Sequence, residues 1–152
     1  MPSITPSYLY TFIALMAVST LLILSFKAYS DTLRSSLEMK QLKSMIDCSA
    51  AKSIELLTLT LTTNATSETS FSMPASIGHK QYWLRLGNDS SKAWIEGGLG
   101  DTPIEETGLR IYLLQEVSAR GYYIGGYGAV LLKCCINSST PHILLTHSGD
   151  GD

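Results

Sequence analysis

An uninterrupted apolar segment near the N-terminus constrains this chain more than any other feature. Residues 8–26 read YLYTFIALMAVSTLLILSF, which is 19 residues without a charged side chain. As a helix they rise about 28 Å, which matches the hydrocarbon thickness of a bilayer. Tyr8 lies at one end, and Lys27 and Tyr29 follow the other, where aromatic and snorkelling side chains anchor membrane helices. The pattern predicts a transmembrane anchor over residues 1–27 that contacts lipid through residues 8–26.

A cleaved secretory signal is the alternative interpretation of the same segment. Ala28, Tyr29 and Ser30 resemble the small-x-small site at which such signals are cut. However, the preceding MPSITPS has no Lys or Arg, and the apolar run is longer than the usual signal core of about 7–15 residues. We therefore expect the segment to be retained as a single-pass anchor.

Two signals conflict on which side of the membrane the C-terminal domain lies. Lys27, Arg34, Lys40 and Lys43 follow the apolar run, whereas no Lys or Arg precedes it. The positive-inside rule therefore favours a cytoplasmic domain. The asparagines favour an extracellular domain.

Each of the three asparagines begins an N-x-S/T acceptor triplet for N-glycosylation: Asn64, Asn88 and Asn137. Ser and Thr together make up 34 of 152 residues, so chance would place all three this way in about one chain in a hundred. Asn, Ser and Thr also share turns, which is the structural alternative. We favour an extracellular domain and treat the three asparagines as glycosylation candidates.

The residues after the apolar run keep helical spacing and predict an amphipathic stalk over 28–57. No Pro or Gly occurs between Ser7 and Pro74, so nothing interrupts a helix. Apolar residues recur at intervals of three to five and form the predicted packing stripe: Leu33, Leu37, Leu42 and Ile46. This stripe can pack under the chain's own β-domain or against copies of itself.

A β-rich domain is predicted over residues 58–146. Leu57, Leu59 and Leu61 alternate with threonines, which is typical of a strand with one wet face. Turn residues separate further predicted strands at 69–73, 81–86, 92–96, 109–118, 121–135 (interrupted) and 142–146. The predicted fold class is α+β, with a long helix followed by a small antiparallel β-sandwich or barrel. The tail, residues 147–152, is predicted to be disordered.

The glycine-rich stretch GYYIGGYG at residues 121–128 is the most unusual local motif. It lacks the GxxxxGK[ST] phosphate-binding pattern, so its glycines instead predict a hairpin or bulge whose tyrosines cover neighbouring backbone. The functional alternative is a contact surface for a neighbouring subunit or a glycan, formed by Tyr122, Tyr123 and Tyr127 together with Trp94.

Three cysteines make an odd count. Cys134 and Cys135 would point to opposite faces of a strand, so they suit neither a shared metal site nor a mutual disulfide. In an extracellular domain Cys48 could pair with Cys134 or Cys135 and leave one thiol spare. Three small buried apolar residues are the alternative.

No catalytic or ligand-binding motif appears along the chain. The histidines are scattered outside any HExxH pattern, there is no CxxC or GxSxG, and the acidic Asp101, Glu105 and Glu106 read as a solvated loop. A net charge of −2 supplies no electrostatic footprint for nucleic acid. We therefore expect a non-enzymatic protein with no cofactor, metal, nucleic acid or small-molecule substrate.

The architecture resembles that of type IV pilin-like proteins. Residues 4–57 and the run KQYWLRLGNDSSKAW at residues 80–94 carry the resemblance, and they look most like the archaeal branch: pilins, archaellins and stator-like accessory proteins of the archaellum. The resemblance implies a β-sandwich on a helical stalk. A prepilin would have a basic leader with a Gly or Ala cleavage site, and MPSITPSYLY has neither.

The leading functional expectation is therefore a permanently anchored cell-surface protein, pilin-like or associated with an appendage or the envelope, that associates with itself or with other envelope proteins. Two alternatives remain open. One is a membrane-tethered β-sandwich that binds a glycan or a protein, and the other is a membrane adaptor facing the cytoplasm.

Overall fold

A computed structural model describes residues 5–89, 92–100, 109–113, 117–137 and 140–148. Its elements are one helix and seven strands: α1 (Thr5–Thr63), β1 (Ser67–Phe71), β2 (Tyr82–Asn88), β3 (Ala93–Leu99), β4 (Arg110–Tyr112), β5 (Ser118–Ile124), β6 (Val130–Asn137) and β7 (Thr140–His147). The predicted α+β class is confirmed.

The first compact unit, Met1–Leu37, contains the apolar part of α1. Every described side chain from residue 6 to residue 37 is exposed, including large apolar ones such as Phe12 and Leu22. Such exposure is unfavourable in water, and it is the normal condition of a helix in lipid. This helix is long and apolar enough to cross a membrane.

The second unit, Glu38–Asp152, begins where α1 starts to be buried on one side. The predicted amphipathic stripe over 28–57 is not confirmed as a whole, because no side chain before Glu38 is buried in the described helix. From there to the end, buried positions recur with helical spacing: Glu38, Leu42, Met45, Ile46, Ser49, Ala50, Ser53, Leu56, Leu57 and Thr60. The small side chains among them leave room for the sheet to approach.

The buried hydroxyls of α1 are satisfied within the helix. Ser49 Oγ donates to the Met45 carbonyl at 2.9 Å, and Thr60 Oγ1 donates to the Leu56 carbonyl at 2.9 Å. Bonding to the preceding turn lets a small polar residue face the core without an unpaired donor.

The strand predicted around residues 57–62 is wrong, and the helical stalk does not end at residue 57. α1 continues to Thr63, and Asn64 then ends it in a left-handed conformation with φ 51°. Leu57 is buried whereas Leu59 and Leu61 are exposed, so the Leu–Thr alternation does not separate two faces. A helix already packed through Leu56 and Leu57 overrides the weak strand preference of threonine.

All seven strands belong to one sheet with the order β1-β6-β7-β5-β2-β3-β4. Neighbouring strands are antiparallel except β5 and β7, which are parallel. The predicted two-sheet sandwich is not confirmed. The described residues of the predicted strand at 109–118 form the short β4 and the start of β5, and the prediction at 121–135 separates into β5 and β6.

α1 covers one face of the sheet, and no helix of the described residues covers the other face, here called the open face. Alternate residues of the strands join the buried part of α1 in one apolar core, and they include Leu84, Ile95, Leu132 and Leu145. Gly97 belongs to this side, since a Cβ there would lie 3.1 Å from Ile46 Cδ1. Two-layer packing of a helix on a sheet therefore forms the core.

The glycine-rich segment is a connection across the sheet, not a hairpin. It joins β5 to β6, which are separated by β7. Gly126 and Gly128 adopt φ of 94° and 98°, and a Cβ at Gly125 would lie 2.5 Å from the Tyr82 ring. The glycines therefore allow a tight backbone conformation, as predicted, but in a connection between strands that are not adjacent.

The predicted disordered tail begins too early. His147 is the last residue of β7, and the Ser148 amide donates to the Ala129 carbonyl at 2.8 Å. The remaining tail, 149–152, lies outside the described residues, as do Asp101, Glu105 and Glu106 of the predicted solvated loop.

Candidate functional site on the open face of the sheet

A buried carboxylate flanked by two arginines crosses three strands of the open face. Arg85, Glu96 and Arg110 are direct cross-strand neighbours on β2, β3 and β4. Arg85 Nε donates to Glu96 Oε1 at 2.9 Å, and Arg110 donates from Nε at 3.0 Å and from Nη2 at 2.9 Å to Glu96 Oε2. Glu96 is 1% exposed. These bonds raise the pKa of Arg110 above its ordinary value, so its guanidinium stays charged.

Trp94 covers the next row of the same face. Its indole lies over Gly87, where a Cβ would meet Trp94 Cζ2 at 2.6 Å, so only glycine fits beneath the ring. The Arg110 guanidinium lies 4.1 Å from the ring centroid and that of Arg85 lies 5.3 Å away. Trp94 is buried, and its Nε1 has no hydrogen-bond partner in the described structure. Trp94 therefore positions the two arginines through cation–π contact.

Two cations flank a leucine at the middle of the open face. Leu144 on β7 is the direct neighbour of Arg120 on β5 and of Lys133 on β6. Arg120 and Lys133 are both exposed, and neither has a hydrogen-bond or ion-pair partner within the described ranges. Glu68 on β1 is the register neighbour of Lys133, but the two side chains form no ion pair.

A row of three polar side chains lies beside these cations. His142 on β7 is the register partner of Ser118 on β5 and of Cys135 on β6. An imidazole beside a thiol can accept its proton, which is the first requirement of a nucleophilic site. No carboxylate that could orient the imidazole lines this cleft among the described residues.

Two clefts lie along the open face and share Arg120 and Leu144. The first, of about 590 Å³, is lined by Asn88, Ser118, Ala119, Arg120, Lys133, Cys135, Asn137, His142, Ile143 and Leu144. The second, of about 560 Å³, is lined by Arg85, Leu86, Arg120, Gly121, Tyr122, Leu144, Leu145, Thr146 and His147. Both volumes lie within the range of ligand-binding clefts.

The predicted aromatic contact surface is only partly exposed. Tyr122 and Tyr127 are 55% and 66% exposed, and both rings pack edge-on against His147. Tyr123 and Trp94 are buried. Tyr123 donates its hydroxyl to the Gly128 carbonyl at 2.8 Å, and burial raises its pKa above the ordinary value. Tyr123 therefore belongs to the core.

The three candidate glycosylation sites lie at one end of the sheet, here called the sequon end. Asn64 directly follows α1, while Asn88 ends β2 and Asn137 ends β6. The register brings these ends together, because Ser67 pairs with Cys134, and Asn88 and Asn137 line the same cleft. All three asparagines are exposed, which N-glycosylation requires. The residues Ser90, Ser138 and Ser139 lie outside the described part of the chain.

All three cysteines are free thiols in the structure, so neither predicted disulfide is formed. Cys48 is exposed on α1, Cys134 is buried and Cys135 lies on the open face. Burial raises the pKa of Cys134, and a hydrogen bond with Thr60 partly offsets this. Cys134 therefore occupies the place of a small apolar residue between the sheet and α1.

The predicted stalk-packing residues divide into two pairs. Leu42 and Ile46 are each 1% exposed and belong to the core. Leu33 and Leu37 are 46% and 64% exposed.

The charged residues of the open face were not predicted from the sequence as site residues. Arg85, Glu96, Arg110, Arg120 and Lys133 are far apart in the chain and match no motif. Period-two alternation within each strand could assign each residue to a face. Only the pairing register shows which residues are neighbours.

Comparison of the chain with models of known protein families, with curated proteins and with solved structures found no match. Among the described residues there is no group of three or more His, Cys, Asp or Glu side chains that could hold a metal ion.

Proposed function

We propose that this chain is a non-enzymatic, membrane-anchored cell-surface protein, with residues 8–26 in the membrane and the α+β domain outside. The observation that carries the proposal is the sequon end: every asparagine of the chain begins an acceptor triplet, and all three are exposed at one end of the domain. Asparagines scattered by the needs of turns alone have no reason to gather at one end of the sheet.

The burial of α1 supports the anchoring role. Nothing in the described chain covers the apolar side chains of its first unit, and lipid is the environment that removes their contact with water. The buried part of the same helix begins only at Glu38, where Lys80 Nζ lies 2.9 Å from Glu38 Oε2. The same helix therefore has exposed apolar side chains suited to lipid in its first part, and side chains buried against protein from Glu38 onward.

Protease accessibility on unbroken cells, paired with the intact mass of the protein from its native membranes, tests the proposal. We expect external protease to cut the domain, and we expect a mass above that of the chain by whole glycan units. Asn64→Gln, Asn88→Gln and Asn137→Gln should each remove one unit. If protease cuts the domain only after the cells are opened, and the mass is unmodified, the domain is cytoplasmic. The protein would then be the cytoplasmic adaptor that Lys27 and Arg34 favour.

A second element of the proposal is self-association within an envelope or appendage assembly. Leu33 and Leu37 support it, because both are exposed beyond the apolar run and four residues apart on one helix face. We expect crosslinked oligomers in native membranes that are lost in Leu33→Asn/Leu37→Asn and retained in Leu59→Asn, which changes an exposed leucine of the domain. A strict monomer in native membranes would exclude the pilin-like assembly.

A further inference from the structure

We infer that the two clefts of the open face form one groove that binds an extended acidic polysaccharide, meaning a chain of uronic acid or sulfated sugar units. The clefts share Arg120 and Leu144, so a ligand can pass continuously from the Asn88 side to the Tyr122 side. This inference rests on the proposed surface location, because such polymers lie outside the cell.

Charge is the first argument for an anionic ligand. The chain has a net charge of −2, yet the open face carries Arg85, Arg110, Arg120 and Lys133 against Glu68 and Glu96 among the described residues. Glu96 is already saturated by two arginines. Within the described residues Arg120 and Lys133 have neither a hydrogen bond nor an ion pair, and two strand spacings of about 4.8 Å separate their backbones. They are available to hold two negative charges on either side of Leu144.

The other lining groups favour a sugar chain over an acidic peptide. Ser118 and Thr146 supply hydroxyl groups that pair with sugar hydroxyls, and the exposed Tyr122 ring supplies a flat amphipathic surface. A peptide would need apolar pockets for its side chains, whereas Leu144 is the principal exposed apolar side chain of the groove. The groove therefore matches a ligand with many hydroxyls and few apolar groups.

The same features disfavour two other polyanions. Nucleic acid binding requires many phosphate contacts, and the described lining of the groove offers two unpaired cations. An anionic bilayer is a flat surface, while Arg120 and Lys133 lie in the lining of a concave groove. A linear polymer with spaced charges and a polar backbone fits both the shape and the charge.

Binding of oligogalacturonate to the full chain in detergent micelles, measured by isothermal titration calorimetry, tests the inference. The Asn64→Gln/Asn88→Gln/Asn137→Gln protein provides a sample in which no glycan on Asn88 or Asn137 covers the first cleft. We expect saturable binding of oligogalacturonate or of dextran sulfate, and the tighter of the two identifies carboxylate or sulfate as the recognised group. Methyl-esterified oligogalacturonate, which has the same backbone without charge, should bind at least about tenfold more weakly.

Variants assign the binding to the groove. Arg120→Gln and Lys133→Gln should each weaken binding about tenfold, whereas Lys40→Gln, which removes an exposed charge from α1, should leave it unchanged. Arg120→Lys should retain part of the affinity. Circular dichroism and thermal unfolding establish that each variant is folded.

Three results would overturn the inference: no binding of either acidic polysaccharide, equal binding of polyglutamate or anionic vesicles, or affinity that Arg120→Gln and Lys133→Gln leave unchanged. These failures are distinct from failure of the proposed function, because titration of purified protein does not depend on topology. A cytoplasmic domain that binds oligogalacturonate would overturn the surface location and leave the groove's chemistry established.

Discussion

The two faces of the sheet are built from the same strands but with opposite chemistry. The face under α1 contributes apolar side chains that are almost entirely buried, such as Leu84, Ile95 and Leu132. The open face contributes charged and aromatic side chains, and its one fully buried ion, Glu96, is held between arginines. The apolar core that stabilises the domain therefore lies on the helix side, whereas exposed residues of the open face such as Arg120 have no partner within the described structure.

We expect the largest effect from a substitution in the backbone that both faces share. Gly121 has φ 121°, and a Cβ there would lie 2.0 Å from the Leu145 carbonyl oxygen on the neighbouring strand β7. We expect Gly121→Ala to destabilise the domain by at least about 4 kcal/mol, or to prevent folding, because strain and a backbone clash combine. Gly128→Ala, at φ 98° with open space around it, should cost about 1–2 kcal/mol. Denaturant unfolding followed by tryptophan fluorescence in detergent measures both.

A matched pair of leucines tests the difference between the faces directly. Leu132 is 0% exposed on the helix side, and Leu144 is 42% exposed on the open face of the adjacent strand. We expect Leu132→Ala to cost about 3 kcal/mol, because it leaves a cavity, and Leu144→Ala to cost less than about 1 kcal/mol. The free energy of unfolding measures each cost. Equal costs would mean that the open face is packed against something in the native protein.

The arginine–glutamate cluster is a buried part of the open face. Glu96→Gln removes the negative charge that both guanidiniums contact. We expect a loss of about 3 kcal/mol, near the low end for a broken buried ion pair, because both arginines keep some contact with water. Glu68→Gln, at an exposed position, should change the free energy of unfolding by less than about 0.5 kcal/mol.

Alkaline pH should weaken the helix side. Burial raises the pKa of Tyr82, whose hydroxyl donates to the Pro74 carbonyl at 2.7 Å. Above about pH 10 the unfolded chain loses the tyrosine proton while the folded chain keeps it, so stability falls as pH rises. We expect a decline of about 1 kcal/mol per pH unit, measured by unfolding between pH 9 and pH 11.

Tyr82→Phe measures the share of that decline that comes from Tyr82. It should lower stability at neutral pH by about 1 kcal/mol through the lost hydrogen bond and should reduce the alkaline slope, to which the buried Tyr123 also contributes. Tyr127→Phe, at an exposed ring, should leave the slope unchanged.

The smallest expected effect concerns the groove itself. Arg120→Gln should change the free energy of unfolding by less than about 0.5 kcal/mol, because Arg120 is exposed and unpaired in the described structure. A large loss of stability in the same unfolding experiment would show that Arg120 has a structural role and would weaken its assignment to ligand binding.

Local pattern was sufficient to predict several elements of the fold. The apolar run indicated a helix able to cross a membrane, and alternation with turn residues located β1, β2, β3 and β7 near their observed positions. The same local pattern failed at Leu57, Leu59 and Leu61, where packing of α1 against the sheet overrides alternation. It also gave the wrong connection for the glycine-rich segment, because local sequence does not tell which strand lies beside β5.

The sequence by itself determined where this protein is apolar, where its backbone must turn and where its asparagines could accept a glycan, because each of these properties depends on neighbours along the chain. Which side chains meet on the open face depends on the tertiary structure. Arg85, Glu96 and Arg110 meet, and Arg120 faces Lys133 across Leu144, because of strand order and register. A shift of one residue in register would move these side chains to the core face, and burial of the whole opposite row of apolar residues prevents that shift.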